Sequence, residues 1–101
     1  MIIVSDASPL INIARVRLFH HLHALYEKLV IPNAVFREVV EKGAGRPGAT
    51  EVLDGLKSKF IEIKQLNNTL AASALSEFFG DGEAEAIILA SEISADAILL
   101  D

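Results

Sequence analysis

Four acidic residues stand at the ends of apolar runs or within segments of helical spacing. They are Asp6, Glu38, Glu83 and Asp101. Carboxylate oxygens are the ligands that hard divalent cations prefer in proteins, and carboxylates also act as general acids and bases. Such chemistry requires the fold to bring several of these groups together, so each one has to be judged from the elements around it.

Asp6 directly follows Ile2, Ile3 and Val4, a β-branched run that is typical of a strand buried on both faces. In open parallel sheets, ligands bind beyond the carboxyl ends of the strands, where the strand order reverses. Asp6 therefore predicts a site, although a role in a turn or helix cap explains the same residue. Asp101 closes the last apolar run as Asp6 closes the first, and neighbouring strands would bring the two carboxylates together.

Helical periodicity separates the acids of the last predicted helix. At about 100° per residue, Glu85 and Glu92 share a stripe that we expect to be solvated, whereas Glu83 lies nearly opposite, on the small-residue face that packs on the sheet. A carboxylate on that face is costly without a cation, which favours a site, although a role of Glu83 in capping its own helix stays open. Glu38 lies at the margin of an apolar face, where the helical wheel favours a solvated side chain.

The elements that must position these residues alternate between strands and helices. The predicted strands are 2–4, 29–31, 60–66 and 97–100, and the predicted helices are 8–23, 33–42, 50–57, 70–79 and 83–93. Ser8 is the expected N-cap of the first helix, followed by Pro9, and Asn33 is the expected cap of the second. Because parallel strands need crossover connections, this alternation predicts an α/β fold with a parallel sheet in a single domain over residues 1–101.

Composition limits the function classes. The 101 residues are 51% apolar and 23% charged, which is typical of a soluble globular domain. A net charge of −5 does not favour nucleic-acid binding through the overall field. The absence of cysteine excludes disulfides and thiolate metal sites. The apolar N-terminus is too short to span a bilayer and lacks the basic flank of a signal peptide, so we expect a cytoplasmic protein with no membrane association.

Three separated motifs resemble those of one family. "VSDASPLI", "IPNAVFREVV" and "GEAEAIILASE...ADAILLD" are similar to the PIN-domain nucleases, in particular to short prokaryotic members akin to the toxins of VapBC-type toxin–antitoxin pairs. The resemblance spans residues 2–101, and the motifs occur in the family's order. It implies a three-layer α/β/α fold with about four strands, whose acidic residues bind Mg²⁺ or Mn²⁺ and hydrolyse RNA phosphodiester bonds.

The resemblance also implies a role for each acid. Asp6 and Glu83 match the first and third acids of the family and would be the principal metal ligands, and Asp101 falls at or one residue before the fourth. Glu38 matches the second acid and would orient the attacking water. Ser8 could position a water or a phosphate, although a capping role is sufficient without that. Carboxylates a few ångströms apart repel one another, so such a cluster is stable mainly around a cation, and oxygen ligands suit Mg²⁺ and Mn²⁺.

Family members continue beyond the last predicted strand. The resemblance therefore implies a domain that is shortened at its C-terminus, in which "AILL" forms an exposed edge strand. We expect a homodimer, and an antitoxin protein that occludes the acidic site.

Local clusters of side chains add smaller expectations. The loop "GAGRPG" lacks the ending of a phosphate-binding loop, but its Arg46 is a candidate contact to the RNA backbone. Arg15, Arg17 and Lys42 either extend a basic patch around it or are scattered over the surface. The run "HHLH" is more typical of a polar helix end than of a metal site. Four phenylalanines are expected to pack in the core, namely Phe36, Phe60, Phe78 and Phe79.

Two other functions compete with a nuclease. A non-catalytic, degenerate PIN-like domain would act as a binding or scaffold module and would not respond to divalent ions. A phosphohydrolase or phospho-acceptor that used Asp6 would need an accompanying lysine and Thr/Ser pattern, which the sequence does not offer.

Overall fold

The computed structural model describes residues 1–100, which form one four-stranded sheet with helices on both faces. The strands are Ile2–Ser5 (β1), Lys28–Ile31 (β2), Ile61–Ile63 (β3) and Ala97–Leu99 (β4). All neighbouring strands are parallel, and their order across the sheet is β3-β2-β1-β4. The predicted sheet is confirmed, with a third strand shorter than the predicted 60–66.

The strand order reverses between β1 and β4. The chain builds outward from β1 through β2 to β3 and then returns to place β4 on the other side of β1. Ser5 pairs with Leu99 in register, and the N–H of Asp6 donates to the carbonyl of Leu99 at 3.0 Å. Asp6 therefore leaves the sheet at the position where ligands bind in open α/β folds.

In the described part of the chain, six α-helices and one π-helical segment connect and cover the strands. The α-helices are Ala7–Arg15 (α1), His20–Leu25 (α2), Asn33–Phe36 (α3), Ala49–Lys57 (α4), Thr69–Leu75 (α5) and Asp81–Glu92 (α6). The π-helix, Arg37–Glu41, continues directly from α3. Within residues 1–100, no helix is both long and apolar enough to cross a bilayer.

Each face of the sheet packs against its own set of helices. On one face, Ile3 and Leu29 join a core with residues of α1, α3, the π-helix and α4. On the other face, Val4 packs with Ala86 and Leu89 of α6. Consecutive residues of a strand point to opposite faces, so the apolar run of β1 supplies both cores. The three-layer α/β/α arrangement is confirmed.

The first helix begins and ends earlier than predicted. Asp6, not Ser8, is the N-cap of α1, because its Oδ1 accepts a hydrogen bond from the N–H of Ala7 at 2.7 Å. The helix ends at Arg15 rather than near residue 23, since Arg17 adopts a left-handed φ of 62° that an α-helix cannot continue. The polar histidine run then forms a separate short helix, where His23 stacks on Phe60 at 4.4 Å.

Two glutamates of α6 accept hydrogen bonds from backbone N–H groups at the starts of two further helices. Asn33 does not cap α3 with its side chain; the N–H of Ala34 instead donates to Glu85 Oε1 at 3.3 Å. Both carboxylate oxygens of Glu92 accept from backbone N–H groups just before α5, each at 2.7 Å. Glu92 is exposed, as predicted for the solvated stripe, whereas Glu85 is half-buried; both also accept hydrogen bonds, because unsatisfied N–H groups at helix starts recruit acceptors from neighbouring elements.

Two of the four phenylalanines do not pack in the core. Phe78 is 80% exposed and Phe79 is 42% exposed, whereas Phe60 is buried. The predicted helix 70–79 ends at Leu75, so both residues fall in the loop that leads into α6. The helical spacing that would have turned them toward the core stops before it reaches them.

Candidate functional site

Asp6 is the most buried of the predicted acids that the structure describes, with 9% of its surface exposed. Its backbone is tied to β4 through Leu99, and its side chain accepts from the first N–H of α1. The start of α1 carries the partial positive charge of the helix dipole, which favours a carboxylate at this point. Asp6 therefore combines a capping role with a position at the reversal of strand order.

Glu38 is held on the π-helical segment. The N–H of Lys42 donates to the carbonyl of Arg37 at 2.8 Å, a five-residue spacing in place of the four residues of an α-helix. Because a π turn contains an extra residue, an α-helical wheel misplaces the side chains around it. The Glu38 side chain is exposed, as the wheel favoured, yet its carboxylate reaches toward the start of α6.

Gly82, in the first turn of α6, brings Asp6 and Glu38 together. A Cβ atom at Gly82 would lie 2.9 Å from Asp6 Oδ1 and 3.6 Å from Glu38 Oε1. The two carboxylates, called here the carboxylate pair, thus approach the same point on the backbone, and any side chain there would crowd Asp6. Gly82 was not among the site residues predicted from the sequence, since the glycines of "GDGEAE" are typical of a turn.

Three further predicted site residues are Glu83, Ser8 and Asp101. Glu83 follows Gly82 in the first turn of α6 and is half-buried, and Ser8 is half-buried in the first turn of α1. Asp101 lies outside the described residues, although β4, which leads to it, does pair with β1. Within residues 1–100, no group of three or more His, Cys, Asp or Glu residues is arranged to hold a metal ion. The metal-binding roles of Asp6, Glu83 and Asp101 stay predictions.

Positive charge gathers beside Glu38. Arg15, Lys42 and Arg46 line a pocket of about 330 Å³ together with Glu38, and we call it the basic pocket. Three of the four candidate cations of a basic patch therefore line the same pocket. The fourth, Arg17, lines a different pocket with Phe60, which immediately precedes β3 and so marks the opposite end of the sheet.

A larger cavity of about 490 Å³ opens between α3, α5 and α6. It is called the polar groove, and its lining includes Asn33, Arg37, Gln65, Asp81 and Glu85. Residues of the groove adjoin the carboxylate pair along the chain, since Arg37 precedes Glu38 and Asp81 precedes Gly82. Both cavities are therefore formed by residues that belong to or adjoin the pair, and their linings differ.

The carboxylate pair is chemically suited to a hard cation. Its groups present only oxygen ligands, and none of the ion pairs within residues 1–100 involves Asp6 or Glu38. Two carboxylates this close repel one another unless a cation compensates their charge. Among the described residues, the pair therefore offers two carboxylates of the kind that a divalent cation accepts.

Comparison with known proteins adds a family to this geometry. The family model described as PIN domain matches residues 2–101. No curated protein and no solved structure matches the chain significantly. PIN domains are in general nucleases that act on RNA or other nucleic acid, typically with divalent metal ions. With a match over nearly the whole chain and the expected parallel sheet in place, the chain belongs to the PIN-domain family.

Proposed function

We propose that this PIN domain is a metal-dependent endoribonuclease that hydrolyses RNA phosphodiester bonds. The observation that carries the proposal is the convergence of Asp6 and Glu38 on Gly82, at the reversal of strand order and next to the basic pocket. Acidic groups that can hold a cation and basic groups that can hold a phosphate are thereby side by side, as phosphodiester hydrolysis requires.

Asp6, Glu83 and Asp101 are the proposed ligands of Mg²⁺ or Mn²⁺. When bound, such an ion activates water and neutralises charge on the phosphate oxygens. Asp6 is suited to the role because burial and the hydrogen bond to Ala7 fix its carboxylate in one orientation. A preorganised ligand loses little freedom when it binds.

Glu38 is proposed to orient the attacking water. Its exposed carboxylate can accept a hydrogen bond from a water molecule at Oε1 and take its proton as the phosphorus is attacked. Arg46, with Arg15 and Lys42, would hold the phosphate backbone within reach of that water, which answers the objection raised by a net charge of −5. Ser8 is proposed as a further substrate contact from the first turn of α1.

A Mn²⁺ titration followed by calorimetry tests the proposal on the 101-residue chain and on Asp6→Ala side by side. We expect binding in the unchanged chain and its loss in the variant, with cleavage of single-stranded RNA lost in parallel. Equal far-UV circular dichroism of the two proteins would show that the variant folds. Retained RNA cleavage by Asp6→Ala would overturn the assignment.

Divalent-ion binding also separates the nuclease from the competing scaffold function. A metal that binds only the folded state raises the melting temperature, by an amount that grows with its concentration. No binding and no thermal shift in either protein would favour a non-catalytic PIN-like module. Cleavage of DNA at a rate equal to that of RNA would make the substrate class broader than RNA.

The finer biological role is part of the same proposal. We infer a cytoplasmic toxin of a toxin–antitoxin pair, a homodimer, and an antitoxin protein that occludes the carboxylate pair. Induced expression in a bacterial host should arrest growth, and Asp6→Ala should not. A monomer in analytical ultracentrifugation at micromolar concentration would count against the dimer.

A further inference from the structure

The polar groove differs from the basic pocket in the groups that it offers a ligand. Arg37 offers a planar fork of N–H donors, whereas Asp81 and Glu85 offer carboxylate acceptors. Neither Arg37 nor Asp81 takes part in an ion pair within residues 1–100, so both remain available to a ligand. Two carboxylates in one cavity disfavour a phosphate there, and the groove therefore suits an uncharged group rich in donors and acceptors.

The position of the groove points to a part of the substrate. Arg37 and Glu38 are consecutive, as are Asp81 and Gly82, so the groove and the carboxylate pair are formed by neighbouring residues of the same two helical segments. A nucleotide whose phosphate lies at that pair would have its base within reach of the groove. The volume of about 490 Å³ is within the range of pockets that hold small organic ligands.

We propose that the polar groove binds a guanine base next to the cleaved phosphate, with Arg37 donating to guanine O6 and N7 and Asp81 accepting from its N1–H and amino groups. This inference rests on the proposed nuclease function and names a sequence preference for it. Guanine presents two adjacent acceptors and two adjacent donors on neighbouring edges, which matches one arginine and one carboxylate. Uracil offers a single N–H between two carbonyls and leaves Asp81 without an adequate partner.

Binding of free nucleotides tests the inference without catalysis. Guanosine monophosphate should bind the 101-residue chain about 10-fold more tightly than uridine monophosphate, the range of discrimination expected for one bidentate contact. Asp81→Asn, which keeps the shape of the side chain but offers donors in place of an acceptor, should remove that preference. Equal binding of the two nucleotides would overturn the proposal.

A matched pair of tryptophan variants tests the location. Ser73 lines the groove from α5, and its neighbour Ala74 is exposed outside it. Ser73→Trp should fill the groove and abolish binding of guanosine monophosphate, whereas Ala74→Trp should bind it as the unchanged chain does. Equal binding by both variants would place the nucleotide elsewhere and contradict the proposal.

Cleavage assays separate this inference from the nuclease proposal. Oligonucleotides that differ only at one base beside the cleaved bond should be cut fastest with guanine there, and the preference should fall about 10-fold in Asp81→Asn. Cleavage without any base preference would leave the nuclease proposal standing and overturn the groove assignment. Selective binding of guanosine monophosphate with no cleavage of any RNA would overturn the nuclease proposal and leave the base preference of the groove standing.

Discussion

The basic pocket and the polar groove lie on residues that adjoin the carboxylate pair along the chain, but they present different chemistry. Three cations converge in the basic pocket, whereas the polar groove sets a single arginine against two carboxylates and two amides. The lining of the basic pocket suits a phosphate group whatever the base sequence, and the lining of the polar groove suits the edge of a base. A net charge of −5 is compatible with the proposed RNA binding, because three of the nine Lys and Arg residues lie together in the basic pocket.

The largest effect is expected from a substitution at Gly82, the residue that both carboxylates approach. Gly82→Ala places a Cβ 2.9 Å from Asp6 Oδ1, so the carboxylate must move. A misplacement of about 1 Å can cost about 10²-fold in rate, and the shift required here is smaller, so we expect RNA cleavage and Mn²⁺ binding to fall together by up to about 10²-fold. Steady-state cleavage and calorimetry measure the two losses.

Gly80→Ser is the matched control for that variant. A Cβ at Gly80 meets nothing within 4 Å, and serine is a favourable residue at the N-cap of α6. We expect activity and melting temperature to remain at or slightly above those of the unchanged chain. A Gly82→Ala variant as active as Gly80→Ser would show that the carboxylate pair is not the centre of catalysis.

An intermediate effect is expected from the basic pocket. Arg46→Ala removes one phosphate contact, so RNA affinity should fall uniformly across sequences and the dependence of log K on log salt should weaken by about 0.7. Arg17→Gly removes the same charge from the pocket at the other end of the sheet, and its φ of 62° suits glycine. Fluorescence titration of RNA at several salt concentrations compares the two variants. An equal change of affinity and salt dependence in both would show that the two pockets do not differ in phosphate binding.

The smallest effect is expected from the wall of the polar groove. Glu85→Ala leaves the N–H of Ala34 without its acceptor and should lower the stability by about 1 kcal/mol, which shows as a fall of several degrees in the melting temperature. Glu77→Ala changes an exposed residue in the loop after α5 and should be neutral. The salt dependence of RNA binding should stay unchanged in Glu85→Ala, because this variant removes none of the cations proposed to contact phosphate.

The sheet and Asp6 could be predicted because strong local patterns define them. The β-branched run before Asp6 fixes a strand, and the position after a parallel strand assigns the carboxylate to a site. Glu38 was singled out only through the resemblance, since the helical wheel favours a solvated side chain there and nothing local indicates that its carboxylate approaches Gly82. The partners of Glu85 and Glu92 could not be predicted, because their acceptor roles depend on which helix starts lie nearby in space.

The basic patch shows the same division between local pattern and three-dimensional packing. Arg15, Arg17, Lys42 and Arg46 look alike in the sequence, and nothing local separates them. The left-handed turn at Arg17 directs the chain away from the basic pocket, whereas the packing of α1 on the π-helix brings Arg15 to it. Charge composition alone therefore indicated the candidates without indicating which of them act together.

The π-helical segment holds one residue more than an α-helical turn needs. Five residues of a π turn rotate the chain about as far as four residues of an α turn, so the two ends of the segment keep nearly the same orientation with or without the extra residue. Loss of one residue between Glu38 and Lys42 would restore α-helical hydrogen bonding, which is intrinsically more favourable, and would leave these two pocket-lining side chains on the same side of the helix. Among related sequences, a one-residue deletion here would therefore keep the acid beside its cation and change only the side chains that lie between them.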